Sequence, residues 1–186
     1  MMTTRFAISA ALAAVVAACA DASMVQFTEV GAYTPSMLNY AASQGAMKVD
    51  IIGNPFDGPK DDLERVVTGE LTRTHFGPPL VFATSVSPDN RSPYRVVLVF
   101  NPTSDYSSGN ICDTPGQATE SGDDRIRVKA AFCSADRAST YTTGSVSVTS
   151  RPSDARFRQL IRQLGLALFP HGDPTRSDDE PNRISF

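Results

Sequence analysis

The chemistry this sequence offers is held in three cysteines, two histidines, two acidic clusters and a basic stripe. Cys19, Cys112 and Cys133 lie too far apart for a close C-x-x-C redox pair and are too few for a thiolate metal centre. His75 and His171 have no G-x-S-x-G elbow to set a nucleophilic serine beside them. His75 stands at a helix end before Phe76-Gly77-Pro78-Pro79, where an imidazole commonly caps carbonyls or meets solvent. Asp123-Asp124 and Asp178-Asp179-Glu180 lack the D-x-[DN]-x-[DN]-G spacing that wraps calcium. With no P-loop and no G-x-G-x-x-G either, no cofactor or metal is expected. Arg125, Arg127 and Lys129 alternate along an expected strand and so share one face, which makes them candidate anion-binding residues. Arg158 and Arg162 form a second stripe on a helix side, with Arg156 at its flank. The alternative for both stripes is an ordinary solvated face balanced by acids such as Glu64, Glu70 and Asp154. A formal net charge of -3 gives no pointer to nucleic acid.

The N-terminus carries an address. Residues 1–18 have a short positive n-region with Arg5, then an uncharged run from Phe6 to Ala18 rich in Ala, Val, Leu and Ile. That run is shorter than the ~20 residues a spanning helix needs, and small residues close it, as in a secretory signal peptide. The closing residues Val16-Ala17-Ala18-Cys19 resemble the lipobox of bacterial lipoproteins, an aliphatic residue and two small ones before a cysteine. The resemblance implies a diacylglycerol on the Cys19 thiol, cleavage just before Cys19 and acylation of the new amino group, such as with palmitate. Two or three chains then hold firmly where one would not. It also implies a partner, the membrane, and an envelope location facing the periplasm. The outer membrane is favoured, because the residue after the cysteine is Ala20 rather than the aspartate that retains lipoproteins at the inner membrane of enteric bacteria. Ala20-Asp21-Ala22 is a conventional cleavage site as well, so a soluble periplasmic protein is the alternative.

Given a lipid on Cys19, two cysteines are left in an oxidising compartment, and a Cys112–Cys133 disulfide is expected. It would staple a segment, 113–124, that is rich in Gly, Pro, Ser, Thr and acids and has little to bury.

The elements that must position these residues follow from periodicity. After a lipidated N-terminus and tether, 19–31, one domain is expected over 32–170, with a polar tail at 171–186 where Ile184 and Phe186 are the groups able to dock back. A helix begins at Pro35, capped by Thr34 and ended by Gly45. A strand follows over 48–53, a helix over 60–73 and a strand over 80–86. Tyr94–Phe100 is the most apolar strand and reads as central, covered on both faces. A long loop spans 101–124, a strand 125–132 and a short edge strand 145–149 with Val146 and Val148 inward. The last helix starts with Ser153 as N-cap, buries Phe157, Leu160, Ile161, Leu164 and Leu168, and stops at Pro170. Together these predict an α+β domain with a single mostly antiparallel sheet of four to five strands and two or three helices packed on one face. Gly53-Asn54-Pro55-Phe56, Phe132-Cys133 and Leu168-Phe169-Pro170 resemble segments of small proteobacterial envelope lipoproteins, a group that lends no activity. The alternation of helices and strands is also similar to secretion-accessory lipoprotein domains, an analogy of fold only. The functional expectation is a non-enzymatic binding or assembly accessory that meets an envelope protein or an anionic envelope polymer. The alternative is a periplasmic enzyme with its site near His75.

Overall fold

The computed structural model describes residues 24–104, 106, 109, 111–113 and 124–171. The expected signal peptide, Cys19, the acidic residues of 114–123 and the tail beyond His171 lie outside them.

Among the described residues the strands are β1 (Met24–Val30), β2 (Ala46–Ile52), β3 (Val81–Ala83), β4 (Tyr94–Phe100), β5 (Arg125–Ser134) and β6 (Arg137–Ser147). The helices are α1 (Pro35–Ser43), α2 (Lys60–Leu71) and α3 (Ala155–Leu168). One six-stranded sheet has the order β1-β6-β5-β4-β2-β3. The fold is therefore α+β as expected, but the sheet is larger than four or five strands and is mixed rather than mostly antiparallel. β2 pairs in parallel with both β3 and β4, while the other pairings are antiparallel. The parallel part arises because α2 separates β2 from β3, and a helical crossover returns the chain in the same direction. The ten residues between β3 and β4 turn back around Asn90. Its Nδ2 donates to the carbonyls of Gln44 (3.2 Å) and Ala46 (2.7 Å), pinning the turn to the start of β2.

Two departures concern the β1–β6 side of the sheet. The expected tether over 19–31 is a strand from Met24 onward, and the expected edge strand at 145–149 is the end of β6, an interior strand between β1 and β5. Thr140, Thr142 and Ser145 are buried there without an apolar alternation to announce them. Threonine suits a pleated, half-covered surface because of its branching, not its hydrophobicity. Val148, expected to point inward, lies past the strand and is exposed.

All three helices bury their apolar stripes in one core against one sheet face. That core joins Leu38 and Ala41 of α1, Leu63, Val67 and Leu71 of α2, and Phe157 to Leu168 of α3 with Val49, Leu98, Val128 and Val146 of the sheet. α3 starts one residue later than Ser153 would place it. Asp154 is the N-cap and accepts from the Arg156 amide at 2.9 Å, which with its other bonds to Arg156 holds its carboxyl below the usual value despite some desolvation. Thr34 occupies the corresponding position of α1 but its hydroxyl meets Ser36 Oγ instead (2.8 Å).

Gly165 of α3 packs against Thr74, just past the C-terminal end of α2. A Cβ there would fall 2.3 Å from Thr74 Oγ1 and 2.8 Å from Thr74 Cβ. Thr74 is itself buried and tied to the Leu71 carbonyl (2.8 Å), so it has little room to give. Gly69, exposed within α2, has nothing within 4 Å of such a Cβ. Gly165→Ala is expected to destabilise the domain by about 1–3 kcal/mol. Gly69→Ala is expected to stabilise it by about 0.5–1 kcal/mol. Urea unfolding of the two single variants checks both signs.

Candidate functional site

β4 is apolar on both faces, so the face away from the helices needs its own cover. Val97 and Val99 point to this side, with Ala131, Cys133 and Tyr141 from β5 and β6. Ile111 and Cys112, with Tyr106 beside them, cover these side chains as a second, smaller core. A disulfide joins Cys112 to Cys133, with Cα atoms 5.7 Å apart. The pairing expected from the cysteine count is thus present and buried.

Two cations hold the same segment. Arg95 Nη1 donates to the Ala135 carbonyl (2.8 Å) and Nη2 to the Cys112 carbonyl. Its Nε lies 3.2 Å from Asp50 Oδ2, and Lys48 Nζ reaches the other oxygen of Asp50 at 2.8 Å. Lys129 donates to the Tyr106 carbonyl and sits 5.5 Å from the centre of that ring. Sequence reading had no role for Arg95 or Asp50. Their signal is charge set within apolar strands, Arg95 in Tyr94–Phe100 and Asp50, with Lys48, in Ala46–Ile52.

What remains of the basic stripe is concentrated at one end. Arg125, Arg127 and Lys129 do share the helix-free side of β5, opposite Ile126 and Val128, which enter the main core. Lys129 is spent on the stapled segment. Arg125 is half-buried, its guanidinium donating to Ser145 Oγ through Nε (3.2 Å) and Nη2 (3.0 Å). Arg127 is exposed, and its backbone is fixed against Asn101, whose Oδ1 accepts from the Arg127 amide at 2.9 Å. An anion meeting this end of β5 finds two guanidinium groups bordered by the hydroxyls of Ser145 and Ser147.

The same face holds a cavity of about 170 Å³ lined by Glu29, Gly31, Gly109, Ala138, Thr140 and Tyr141. Burial first, then the neighbouring Tyr106 and Glu29, push the Tyr141 hydroxyl up to about 12, so it keeps its proton throughout the physiological range.

The other candidate residues are dispersed. Arg158 and Arg162 flank Glu70, a buried carboxylate of α2, with Arg158 Nε 2.5 Å from Oε1 and Arg162 Nη1 3.1 Å from Oε2. This second stripe is therefore an interhelical ion pair rather than an open basic surface. Arg156 reaches Asp154 at 3.4 Å. His75 Nε2 lies 3.0 Å from the Pro78 carbonyl and its ring meets Phe82 edge-on, while the buried Nδ1 has no hydrogen-bond partner. His171 packs against Phe76, ring centres 4.4 Å apart. A groove of about 350 Å³ beside α2 and β3 contains Glu64, but that carboxylate accepts from Thr84 Oγ1 at 3.1 Å and pairs with Lys60 at 3.7 Å. Among the described residues no group of three or more His, Cys, Asp or Glu is placed to hold a metal ion.

No family model matches the chain, and no curated protein is similar to it. Among solved structures it is similar to a PelC dodecamer from Paraburkholderia phytofirmans in space group P6, with 15% identity over 78% of this chain and 96% of that chain and a TM-score of 0.45. A point variant of that PelC dodecamer in space group C2 gives 15% identity, 78% and 98% coverage and a TM-score of 0.44. Likeness of this degree transfers no activity, partner or assembly state.

Two stability measurements test how this site is held. Cys112→Ser with Cys133→Ser should cost about 3 kcal/mol in chemical unfolding, the chain-entropy value for a loop of this length. Arg158→Ala with Arg162→Ala should cost about 2–3 kcal/mol and exceed the cost of Glu70→Gln, because only the arginine double leaves a buried carboxylate unpaired. The figure sits at the low end for buried pairs since each arginine side chain keeps about 40% of its exposure.

Proposed function

We propose that this chain is a lipid-anchored protein of a bacterial envelope, acting without catalysis as a binding or assembly accessory that meets an anionic envelope component through the end of β5. The observation that carries this reading is the placement of Arg125 and Arg127 together on the helix-free face at the start of β5, opposite Ser147 and Ser145 of β6. The signal-peptide pattern and Val16-Ala17-Ala18-Cys19 support the anchor, with the outer membrane favoured and the periplasmic side as the facing compartment. A buried disulfide fits an exported domain. No described helix is long and apolar enough to cross a membrane.

The second reading, an enzyme with its site near His75, is favoured by one feature, the buried Nδ1 without a hydrogen-bond partner.

Arg125→Glu with Arg127→Glu is expected to reduce capture of crosslinked envelope partners at least tenfold, and capture by the parent should weaken as salt rises. Intact capture by the folded double variant would contradict the basic-end reading. Cys19→Ser should move the protein from the membrane fraction to the soluble periplasm. His75→Ala should leave the cellular phenotype unchanged, whereas its loss would favour the enzyme.

A further inference from the structure

The register of β1 fixes which end of the domain lies next to Cys19. β1 is antiparallel to β6, with Met24 opposite Ser145 and Val30 opposite Thr140, so the strand begins at the β6 end that carries Ser145 and Ser147. Ser145 is in turn opposite Arg127, and Ser147 opposite Arg125. Cys19 precedes Met24 by five residues. A chain spans at most ~3.3–3.6 Å per residue, so Cys19 is within roughly 18 Å of Met24 whatever path it takes. The far end of the sheet, where β3 and β4 begin, is a further ~20 Å away at about 3.3 Å per strand residue.

The near end is built to meet a polyanionic surface. Arg125 and Arg127 are joined there by Arg151, exposed in the connection from β6 to α3, and by Arg156 in the first turn of α3. Among the described residues two acids, Asp124 and Asp154, share this end, and Asp154 caps α3 and meets Arg156. Val148 stands among them with 50% of its surface exposed, held by its amide on the Asp124 carbonyl (2.9 Å). An exposed aliphatic at the sheet end that carries these arginines suits the headgroup layer, where cations meet phosphates and a short apolar side chain can dip below them.

We infer that this end, with Arg125, Arg127, Arg151 and Val148, lies on the anionic lipid headgroups of the membrane that Cys19 anchors, and that the contact orients the domain with β3 and β4 starts pointing away. The inference rests on the lipid-anchor reading above and names the anionic component in it. The geometry supplies the reason: a tether of at most roughly 18 Å holds Met24 near the headgroups, and the arginines of β5 are two strand spacings of about 4.8 Å from it on the same end of the sheet.

The test uses the full lipidated chain in phosphatidylcholine vesicles with or without phosphatidylglycerol. A nitroxide is placed at V148C or V81C, Val81 being 56% exposed at the start of β3. With Cys112 and Cys133 bonded to each other and Cys19 lipidated, the introduced thiol is the single free one. A nickel-chelating lipid should relax the label at 148 at least fivefold more than the label at 81 in phosphatidylglycerol vesicles. That ratio should fall toward one in pure phosphatidylcholine and with Arg125→Glu, Arg127→Glu and Arg151→Glu combined. Equal relaxation at both positions, or a ratio indifferent to lipid charge and to the arginines, would overturn the inference while leaving the anchor intact. A chain that washes off the vesicles in carbonate would remove the anchor reading and this inference with it.

Discussion

The two-faced apolarity of β4 is the constraint on which the rest of this molecule depends. Five consecutive side chains from Val96 to Phe100 are buried, and a strand sends alternate residues to opposite faces. Three helices cover one side, and among the described residues no α-helix covers the other. Val97 and Val99 are sheltered by Ile111, Cys112 and Tyr106, a segment with too few apolar residues to hold itself in place. The disulfide to Cys133 and the cations Arg95 and Lys129 hold it there.

That constraint also sets how several of the charges are engaged. Lys48, Asp50 and Arg95 form a linked set beneath the stapled segment, and Lys129 is turned onto Tyr106. Arg158 and Arg162 neutralise Glu70 between α2 and α3. Arg125 and Arg127 lie beyond the stapled cover, and Arg151 sits on the connection that leaves the same end of the sheet. The cationic character of the domain is therefore local, although the whole chain is slightly acidic.

Much of the fold was legible in the residues. Tyr94–Phe100 was placed to the residue, because an unbroken apolar run bounded by polar turns has few other solutions. The α3 stripe from Phe157 to Leu168 buries at the positions its spacing required. Boundaries and edges were harder. Met24–Val30 follows directly on the segment read as a tether and is a strand only because β6 offers it a ladder. β6 itself is threonine and serine over much of its length, so its strand character lies in backbone pairing and β-branching rather than in alternation. The parallel pairing of β2 with β3 and β4 follows from the crossover through α2, which the strand–helix–strand order announced but a mostly antiparallel reading discounted. At the site, Arg125, Arg127 and Lys129 were correctly placed on one face, since period-two alternation is unambiguous there. That Lys129 is occupied and Arg95 is a clamp depends on contacts far apart in sequence, which no local pattern encodes.

The proposed lipid on Cys19 would account for the odd cysteine count, leave Cys112 and Cys133 for each other, and bring the Arg125 end of the sheet to the membrane. The intact mass of the mature protein, extracted from membranes under non-reducing conditions, tests this most directly. The predicted result is a chain beginning at Cys19, carrying the added mass of a diacylglyceryl group and further acylation, with two hydrogens fewer than its reduced form. A chain beginning at Ser23 without lipid, or one with Cys112 and Cys133 as free thiols, would contradict it.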